Sequence, residues 1–207
     1  MHQGDHDSTK GVYHINAVDC VTQWEIVAIC EKISEAYLLP VLEEIIETFP
    51  FEILGIHADN GSEYINKTVA KLLNKLNIEL TKSRPRQSND NALGEAKNGV
   101  AVRKFLGYSH IPQRHAELMN VFHREHFNPY LNYHRACHFP LEVVDKKGKA
   151  RKTCPQNRMQ TPSEKLTSLP ADLRNFKSGI TLEDLTKYAL SMSDSRRPNA
   201  KSADCDV

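Results

Sequence analysis

The segment from residue 53 to residue 81 restricts the fold more than any other part of the chain. Residues 53–58 are a short, mostly apolar run, residues 63–77 have the composition of a helix, and residues 78–81 form a second short run. Asp59 opens a turn-forming sequence, DNGS, that ends the first run. Two strands that flank a helix make a βαβ unit with parallel strands. We therefore predict an α/β fold in which a buried strand ends next to Asp59.

An antiparallel hairpin is predicted ahead of this unit. Residues 11–18 alternate apolar with polar or small side chains, a short turn follows, and residues 24–30 form a second strand-like run. Apolar residues near helical spacing predict a helix over 33–48, with Pro40 as a kink or a late start. Together these segments predict a mixed sheet with flanking helices.

Beyond Glu95 the chain is predicted to be mostly helical, with interruptions at Pro112 and Pro129. Helix starts are predicted at Thr161 and Thr181, the second with a capping box. The predicted organisation is a turn-rich stretch at 1–10, a core over 11–140, a small basic helical extension over 141–193 and a disordered tail over 194–207.

Charge is unevenly distributed along the 207 residues, although the net charge is only +1. Residues 82–114 hold seven basic and two acidic residues, a balance of +5. Residues 145–152 hold five basic residues and one acidic residue, a balance of +4. Such clusters commonly contact phosphates, and they are also typical of solvated loops. The distribution of charge, rather than its sum, therefore favours a nucleic-acid partner.

The cysteine pattern and the hydropathy indicate a reduced, cytoplasmic protein. The five cysteines form no C-x-x-C pair, and no apolar leader or membrane-spanning run is present in the sequence. The ten histidines do not pair with cysteines at the intervals of zinc sites. We therefore expect a cytoplasmic location without contact with a membrane.

Two carboxylates, Asp59 and Glu95, are the strongest candidates for a metal site. Asp59 follows the predicted strand, and Glu95 lies on the first turns of a predicted helix after a polar loop at 84–91. Strand ends of open α/β sheets are common ligand sites, and carboxylate oxygens suit Mg²⁺ or Mn²⁺. Taken singly, Asp59 has the simpler interpretation of a turn former and Glu95 that of a charge favourable to the helix dipole.

Three separated motifs occur in order around these carboxylates. Residues 57–64 read HADNGSEY, residues 81–85 and 89–92 read TKSRP and NDNA, and residues 95–98 read EAKN. These motifs resemble the retroviral-type integrase core of bacterial insertion-sequence transposases. The resemblance covers roughly the first two thirds of the chain.

The resemblance implies an RNase H-like fold and a DDE mechanism of DNA cutting and joining with Mg²⁺ or Mn²⁺. In that family Asp59 and Glu95 would be catalytic metal ligands. Asn91 lies one helical turn before Glu95 and would contact the DNA backbone, with helix capping as its alternative role. The resemblance implies a DNA-contacting lysine on the Glu95 face of this helix, where this chain has the uncharged Gly99 and Val102, and Lys97, Arg103 and Lys104 would compensate from neighbouring faces. The implied partners are transposon ends and target DNA, with a homo-oligomer or an assembly with an intact transposase.

The resemblance also implies a departure at the N-terminus. The family's first catalytic Asp would lie some twenty residues before Asp19, which is ahead of Met1. Asp5 and Asp7 lie in a turn-rich stretch and are poor substitutes, and Asp19 fits a strand-end turn. We therefore expect a core that lacks its first strand and is weakly active or inactive. The alternatives are a non-catalytic DNA-binding regulator derived from a transposase and an RNase H-like nuclease.

Overall fold

The computed structural model describes residues 2–58, 67–84, 91–144, 148, 150–153, 155 and 158–192. Asp59 and the loop at 85–90 therefore lie outside the described residues, as does the tail predicted to be disordered. The described strands and helices, in chain order, are β1 (His2–Gln3), β2 (Tyr13–Val18), β3 (Glu25–Cys30), α1 (Glu35–Thr48), β4 (Gly55–Ala58), α2 (Lys67–Lys75), β5 (Glu79–Lys82), α3 (Ala92–Lys97), α4 (Lys104–Leu106), α5 (Ala116–Phe122), β6 (Cys137–His138), β7 (Leu141–Val144), β8 (Ala150–Thr153), β9 (Met159–Gln160), α6 (Pro162–Ser168) and α7 (Leu182–Ser191).

The predicted antiparallel hairpin is confirmed as β2 and β3. Tyr13 lies opposite Cys30, and Val18 lies opposite Glu25. The connecting turn is held by Asp19, whose Oδ2 accepts hydrogen bonds from the backbone amide (2.6 Å) and hydroxyl (2.7 Å) of Thr22. Asp19 is therefore a turn residue, as its sequence position indicated.

The N-terminal stretch is not only a turn. His2–Gln3 form β1, which pairs antiparallel with β2 so that His2 lies opposite His14. The expectation that residues 1–10 contribute no strand is wrong at these two positions, because backbone pairing needs no apolar side chains. Farther along, Asp5 forms an exposed ion pair with Lys10 at 2.7 Å. That ion pair lowers the pKa of Asp5.

The predicted βαβ unit is also confirmed. β4 and β5 are parallel, with Gly55 opposite Glu79 and Ala58 opposite Lys82, and α2 connects them. The prediction of a buried β4 is wrong, since Gly55 and His57 are exposed. The hairpin and the parallel pair also form two separate sheets among the described residues rather than one mixed sheet. Both differences have the same cause, because no described strand lies on the side of β4 that faces away from β5.

Helix α1 covers one face of the hairpin and begins before Pro40, which lies inside it. Its buried side chains belong to one hydrophobic core together with both sheets and α2. Leu166 of α6 is also buried in this core. The predicted boundary at residue 140 therefore does not separate two hydrophobic cores.

The helix that carries Glu95, here called the Glu95 helix, spans residues 92–106. It begins as α3, continues as a π-helical turn (Asn98–Arg103) and ends as α4. Gly107 then takes a positive φ of 75°, which stops the helix.

A second long helical run starts at a 3₁₀ turn (Gln113–His115) and continues through α5 and two π-helical stretches, His123–Phe127 and Tyr130–His134. Pro129 lies within this run, so the predicted interruption there is wrong. The run ends at Arg135, whose backbone is extended.

The C-terminal part is less helical than predicted. β7 and β8 form an antiparallel hairpin, so the prediction of a helical extension over 141–193 is only partly correct. Both α6 and α7 start at capping boxes, in which Thr161 pairs with Glu164 and Thr181 pairs with Asp184.

The outer edge of β3 is closed by three asparagine side chains of the second helical run, here called the asparagine ladder (Asn120, Asn128 and Asn132). Each amide side chain bonds both backbone groups of one strand residue. The bonds to Ile29 measure 2.7 and 3.0 Å, those to Val27 2.9 and 3.1 Å, and those to Glu25 2.7 and 2.8 Å. The ladder thus gives β3 the hydrogen bonds that another strand would have given.

Candidate functional site

The first half of the candidate site is the carboxyl end of β4 and β5. Ala58, the last residue of β4, lies opposite Lys82, and its carbonyl accepts a hydrogen bond from the Ser83 amide at 3.0 Å. His57 bridges the two strands, with Nδ1 2.9 Å from the hydroxyl of Thr81 and Nε2 3.1 Å from that of Ser83. Asp59 follows this braced strand end directly in the chain. Its own placement lies outside the described residues.

The second half is the start of the Glu95 helix. Asn91 occupies the N-cap position, but its side chain makes no capping hydrogen bond. Gly94 lies close to the side chain of Asn91, since a Cβ added at Gly94 would be 2.7 Å from Asn91 Oδ1. Helix capping by its side chain, the alternative role for Asn91, is therefore not what the structure shows.

A single cavity of about 670 Å³, here called the cleft, brings the two halves together. Its lining includes Ala58 at the end of β4 and Asn91, Leu93 and Gly94 at the start of the Glu95 helix. Asp59 follows one lining residue in the chain, and Glu95 follows another. The two predicted carboxylates thus adjoin, in sequence, two walls of the same cleft.

Glu95 is available to bind a cation. Its side chain is exposed and makes no hydrogen bond or ion pair with any described residue. Carboxylate oxygens are the donors that Mg²⁺ and Mn²⁺ prefer. The described residues contain no group of three side chains able to hold a metal ion. A metal site at this position therefore depends on Asp59 as well as on Glu95.

The prediction that Lys97 contacts DNA is wrong, because Lys97 is buried. Only 6% of the residue is exposed, and its Nζ lies 3.6 Å from Oε2 of Glu25, of which 1% is exposed. Nζ also donates a hydrogen bond to Sγ of Cys137 at 3.0 Å, and Arg135 approaches the same Glu25 oxygen at 3.4 Å. The lysine neutralises a buried carboxylate, so it does not face solvent.

The pKa of Glu25 reflects this environment. Burial raises its pKa, while the charge of Lys97, the hydrogen bond from Asn16 and the charge of Arg135 oppose the rise. An unpaired carboxylate at this depth would be strongly destabilising. We infer that Lys97 and Arg135 together hold the charged form of Glu25 in the core.

The two remaining basic candidates lie farther along the Glu95 helix. Lys104 is exposed and Arg103 is half-buried, so both differ from Lys97 in being accessible. Lys82 and Arg84, at the β5 end, are exposed as well. The accessible positive charge of the described site therefore comes from both of its halves.

Sequence reasoning missed Asn16. Its Nδ2 donates to Glu25 Oε1 at 2.9 Å and to Asn98 Oδ1 at 3.1 Å. This contact attaches β2 to the Glu95 helix. The signal in the sequence was an amide side chain within a strand.

The integrase core domain family matches residues 4–88. This part of the chain is similar to an integrase core. The matched range contains β2 to β5 and the position of Asp59, and it ends before the Glu95 helix. The match covers less than half of the chain, and it relates this part to the core domain of integrases.

An uncharacterized protein of Sinorhizobium fredii (strain NBRC 101917 / NGR234), y4rM, is 29% identical over 110 residues, which are 53% of this chain and 31% of the relative. The chain thus matches about a third of that longer protein.

Among solved structures, the simian T-cell lymphotropic virus intasome in complex with PP2A regulatory subunit B56 gamma aligns with a TM-score of 0.52 and 14% identity, over 84% of this chain and 54% of the other. The HTLV-2 integrase catalytic core domain in complex with magnesium aligns with a TM-score of 0.44 and 16% identity, over 72% and 87%. The intasome alignment supports the RNase H-like fold, and at such identity it supports the fold alone.

No helix among the described residues has both the length and the hydropathy needed to cross a membrane.

Proposed function

We propose that this chain is the catalytic core of a DNA-integrating transposase, a kind of enzyme that cuts DNA and joins its strands with Mg²⁺ or Mn²⁺, and that by itself this core is weakly active or inactive. The observation that carries the proposal is the cleft, whose lining contains the end of β4 and the start of the Glu95 helix. The integrase core match over residues 4–88 supports the same conclusion. We also propose that it acts in the cytoplasm.

Asp59 and Glu95 would hold the metal ions in this proposal. Bound divalent ions stabilise the attacking and leaving oxygens of a phosphodiester during displacement. The protein's part is to fix the carboxylates. β4 is braced by the His57 contacts to Thr81 and Ser83, and the Glu95 helix is attached to β2 through Asn16 and Asn98. Rigid supports of this kind keep metal ligands within the narrow range that catalysis needs.

Asn91, Arg103 and Lys104 would contact the DNA backbone. Asn91 lines the cleft with an amide that makes no capping bond, and Lys104 presents its charge to solvent. Lysine and arginine contacts to phosphate position DNA without reading its sequence. Joining two DNA molecules also requires more than one active site, so a homo-oligomer or an assembly with an intact transposase is part of the proposal.

Metal binding is the most direct test. Titration of the purified chain with Mn²⁺, followed by electron paramagnetic resonance, should show binding that weakens at least about tenfold in Asp59→Asn and in Glu95→Gln. The matched control is Glu183→Gln, since Glu183 is also an exposed glutamate on the first turn of a helix. Binding that neither variant at the site weakens, or that Glu183→Gln weakens equally, would contradict the assignment.

DNA binding separates the catalytic proposal from the regulator alternative. Affinity for a duplex should fall steeply with salt, and Lys104→Ala should reduce the salt slope by about one unit. A regulator would bind DNA without Mn²⁺ bound at Asp59 and Glu95, and it would show no strand joining on a labelled duplex. Salt-insensitive binding to DNA would contradict both functions.

A further inference from the structure

A lysine and a cysteine contact each other inside the protein, where the Glu95 helix meets β6. Lys97 Nζ donates a hydrogen bond to Sγ of Cys137 at 3.0 Å. Only 6% of Lys97 and 5% of Cys137 is exposed. The two residues lie 40 positions apart in the chain, so the contact is created by the fold. An amine and a thiol are therefore held together at a short distance.

The backbone on both sides limits how far the two groups can move apart. Lys97 is the last residue of α3, directly before the π-helical turn of the Glu95 helix. Cys137 begins β6 and is paired there with Gln160. Its Sγ also donates to the carbonyl oxygen of Arg135 at 3.7 Å. Groups that are held in contact react with each other far faster than the same groups free in solution.

The surroundings of the pair supply a base and a second positive charge. Oε2 of Glu25 lies 3.6 Å from Lys97 Nζ and 3.4 Å from Nη1 of Arg135. Glu25 is therefore placed to accept a proton from the ammonium group of Lys97. Cysteines beside lysine and arginine are also more reactive than cysteines in apolar surroundings. Hydrogen peroxide is a small molecule, and local opening of the structure gives it access to Sγ.

We propose that Lys97 and Cys137 are a modification site, at which hydrogen peroxide drives the formation of a covalent bond between Nζ and Sγ. In the first step the thiol of Cys137 is oxidised to a sulfenic acid, and the peroxide is reduced to water. In the second step Nζ attacks the sulfur, the S–O bond breaks, and a sulfenamide forms. The ammonium group of Lys97 gives up two protons. One proton goes to Glu25, and the other joins the leaving hydroxide to form water.

The second step leaves the total charge of this buried cluster unchanged. Before it, Glu25 is negative, and Lys97 and Arg135 are positive. After it, the linked nitrogen and the protonated Glu25 are neutral, and Arg135 remains positive. The bond therefore does not leave a buried carboxylate without its partner, which would be strongly destabilising. It would also tie the Glu95 helix to β6 until a thiol reduces it.

The test is peptide mapping by mass spectrometry after the folded chain has been treated with hydrogen peroxide and its free thiols have been blocked. Trypsin does not cleave after a lysine whose amine is modified, so the bond would link residues 87–103 to residues 136–146. The linked pair should weigh about 2 Da less than the sum of the two peptides, because a sulfenamide forms with the loss of one hydrogen from each partner. Dithiothreitol should release both peptides. We expect at least about tenfold more linked product from the folded chain than from the chain in urea, since only the fold holds the groups together.

Two variants each remove one partner. Cys137→Ser has no sulfur, and Lys97→Arg keeps a positive charge but has no amine that can attack the sulfur, so neither should give the linked pair. Cys30 is the internal control, because it is buried as well, but its Sγ donates to the backbone carbonyl of Lys32 at 2.8 Å. Cys30 should be recovered without a bond to a lysine.

Recovery of Cys137 only as a free thiol, or as a sulfinic acid about 32 Da heavier, would overturn the proposal. A linked pair that retains one oxygen, equal yields with and without urea, or an equal yield of a bond between Cys30 and Lys32 would overturn it as well. The wild-type chain decides these outcomes even where a variant does not fold. They are independent of the proposed function, because the experiment contains neither metal nor DNA, and a loss of Mn²⁺ binding would leave the modification site intact.

Discussion

The two outer edges of the β2–β3 hairpin differ in whether their backbone groups have hydrogen-bond partners. The outer edge of β3 is closed by the asparagine ladder, which pairs both backbone groups of Glu25, Val27 and Ile29. The edge of β2 has no partner strand beyond β1 among the described residues, and it borders the cleft. A strand edge that faces packed helices cannot leave its polar groups unpaired without a large cost. An edge that faces an open cleft can, because water reaches it.

The comparison teaches where the fold is rigid and where it can accept something. Side chains of the second helical run pair the backbone groups at the β3 edge, so these groups are satisfied within the described structure. The cleft edge retains its hydrogen-bonding capacity and borders the end of β4 and the start of the Glu95 helix. The closed edge therefore serves stability, and the open edge lies beside the proposed site.

The largest effect on stability is expected at Lys97, which together with Arg135 pairs with the buried Glu25. Lys97→Met should lower the free energy of unfolding by about 3–5 kcal/mol, because it leaves the buried Glu25 carboxylate with Arg135 as its only cationic partner among the described residues. Urea denaturation measures the loss. Lys104→Met is the control, and as an exposed substitution on the same helix it should change stability by no more than about 0.5 kcal/mol. Equal effects of the two substitutions would contradict the burial of Lys97.

The next largest effect on stability is expected when the asparagine ladder is broken. Asn132→Ala removes the partners of both backbone groups of Glu25 and should cost about 2–4 kcal/mol in urea denaturation, since each buried polar group left unpaired costs about 1–3 kcal/mol. Asn132→Asp tests the geometry, because it retains an acceptor for the Glu25 amide but loses the donor to the Glu25 carbonyl. A fully stable Asn132→Ala variant would show that the β3 edge is not closed by this side chain.

The free energy of unfolding is expected to depend on pH because of His123, a residue of the second helical run. Its ring contacts that of His14 of β2, and the two ring centroids are 5.9 Å apart. Burial, and secondly the charge of His14, lower the pKa of His123 from 6.5 to about 3. Between pH 6.5 and 3 the unfolded chain therefore binds a proton that the folded chain does not. The free energy of unfolding falls as the pH falls through this range, by up to about 1.4 kcal/mol per pH unit.

The measurement is urea denaturation at pH 7, 6 and 5, above the range in which carboxylates of ordinary pKa titrate. His123→Leu should make stability much less dependent on pH over this range. A wild-type chain that is equally stable at pH 7 and pH 5 would contradict the buried, uncharged state of His123.

The smallest loss of stability is expected at the edge of β2 that borders the cleft. Asn98→Ala removes one hydrogen bond, from the half-buried Asn16 side chain at 3.1 Å, and should cost only about 0.5–1.5 kcal/mol. Because Asn98 also attaches β2 to the Glu95 helix, Mn²⁺ affinity should weaken in this variant while Asn132→Ala, measured at a temperature where it remains folded, leaves it unchanged. A loss of Mn²⁺ affinity in Asn132→Ala but not in Asn98→Ala would contradict the view that the β3 edge serves stability and the β2 edge serves the site.

Local patterns predicted the elements of the fold well. The alternation at 11–18 and the βαβ pattern at 53–81 correspond to β2, β4, α2 and β5, and the capping signal at Thr181 corresponds to the start of α7. Such patterns depend on neighbours in the sequence, so they are readable without a structure. Whether the hairpin and the parallel pair join into one sheet could not be predicted from local patterns, because it depends on whether another strand lies between β2 and β4.

The position of the candidate site stays a prediction, because Asp59 lies outside the described residues. Asp59 and Glu95 could be singled out because strand ends and helix starts have sequence signals. The burial of Lys97 could not, because its partner Glu25 lies 72 positions away in the chain (97 minus 25). The asparagine ladder is of the same kind, since Asn128 and Asn132 are one turn apart in sequence but their acceptors lie on a distant strand.

The pairing of Glu25 with Lys97 constrains how sequences of this type can vary. The lysine belongs to the helix that carries Glu95, and the glutamate belongs to the hairpin, so one interior charge pair spans two elements that share no local sequence signal. A neutral residue at position 25 leaves Lys97 buried without this carboxylate, and a neutral residue at position 97 leaves Glu25 with Arg135 alone. A protein redesigned at position 25 would therefore need both of its cationic partners, Lys97 and Arg135, reconsidered in the same step.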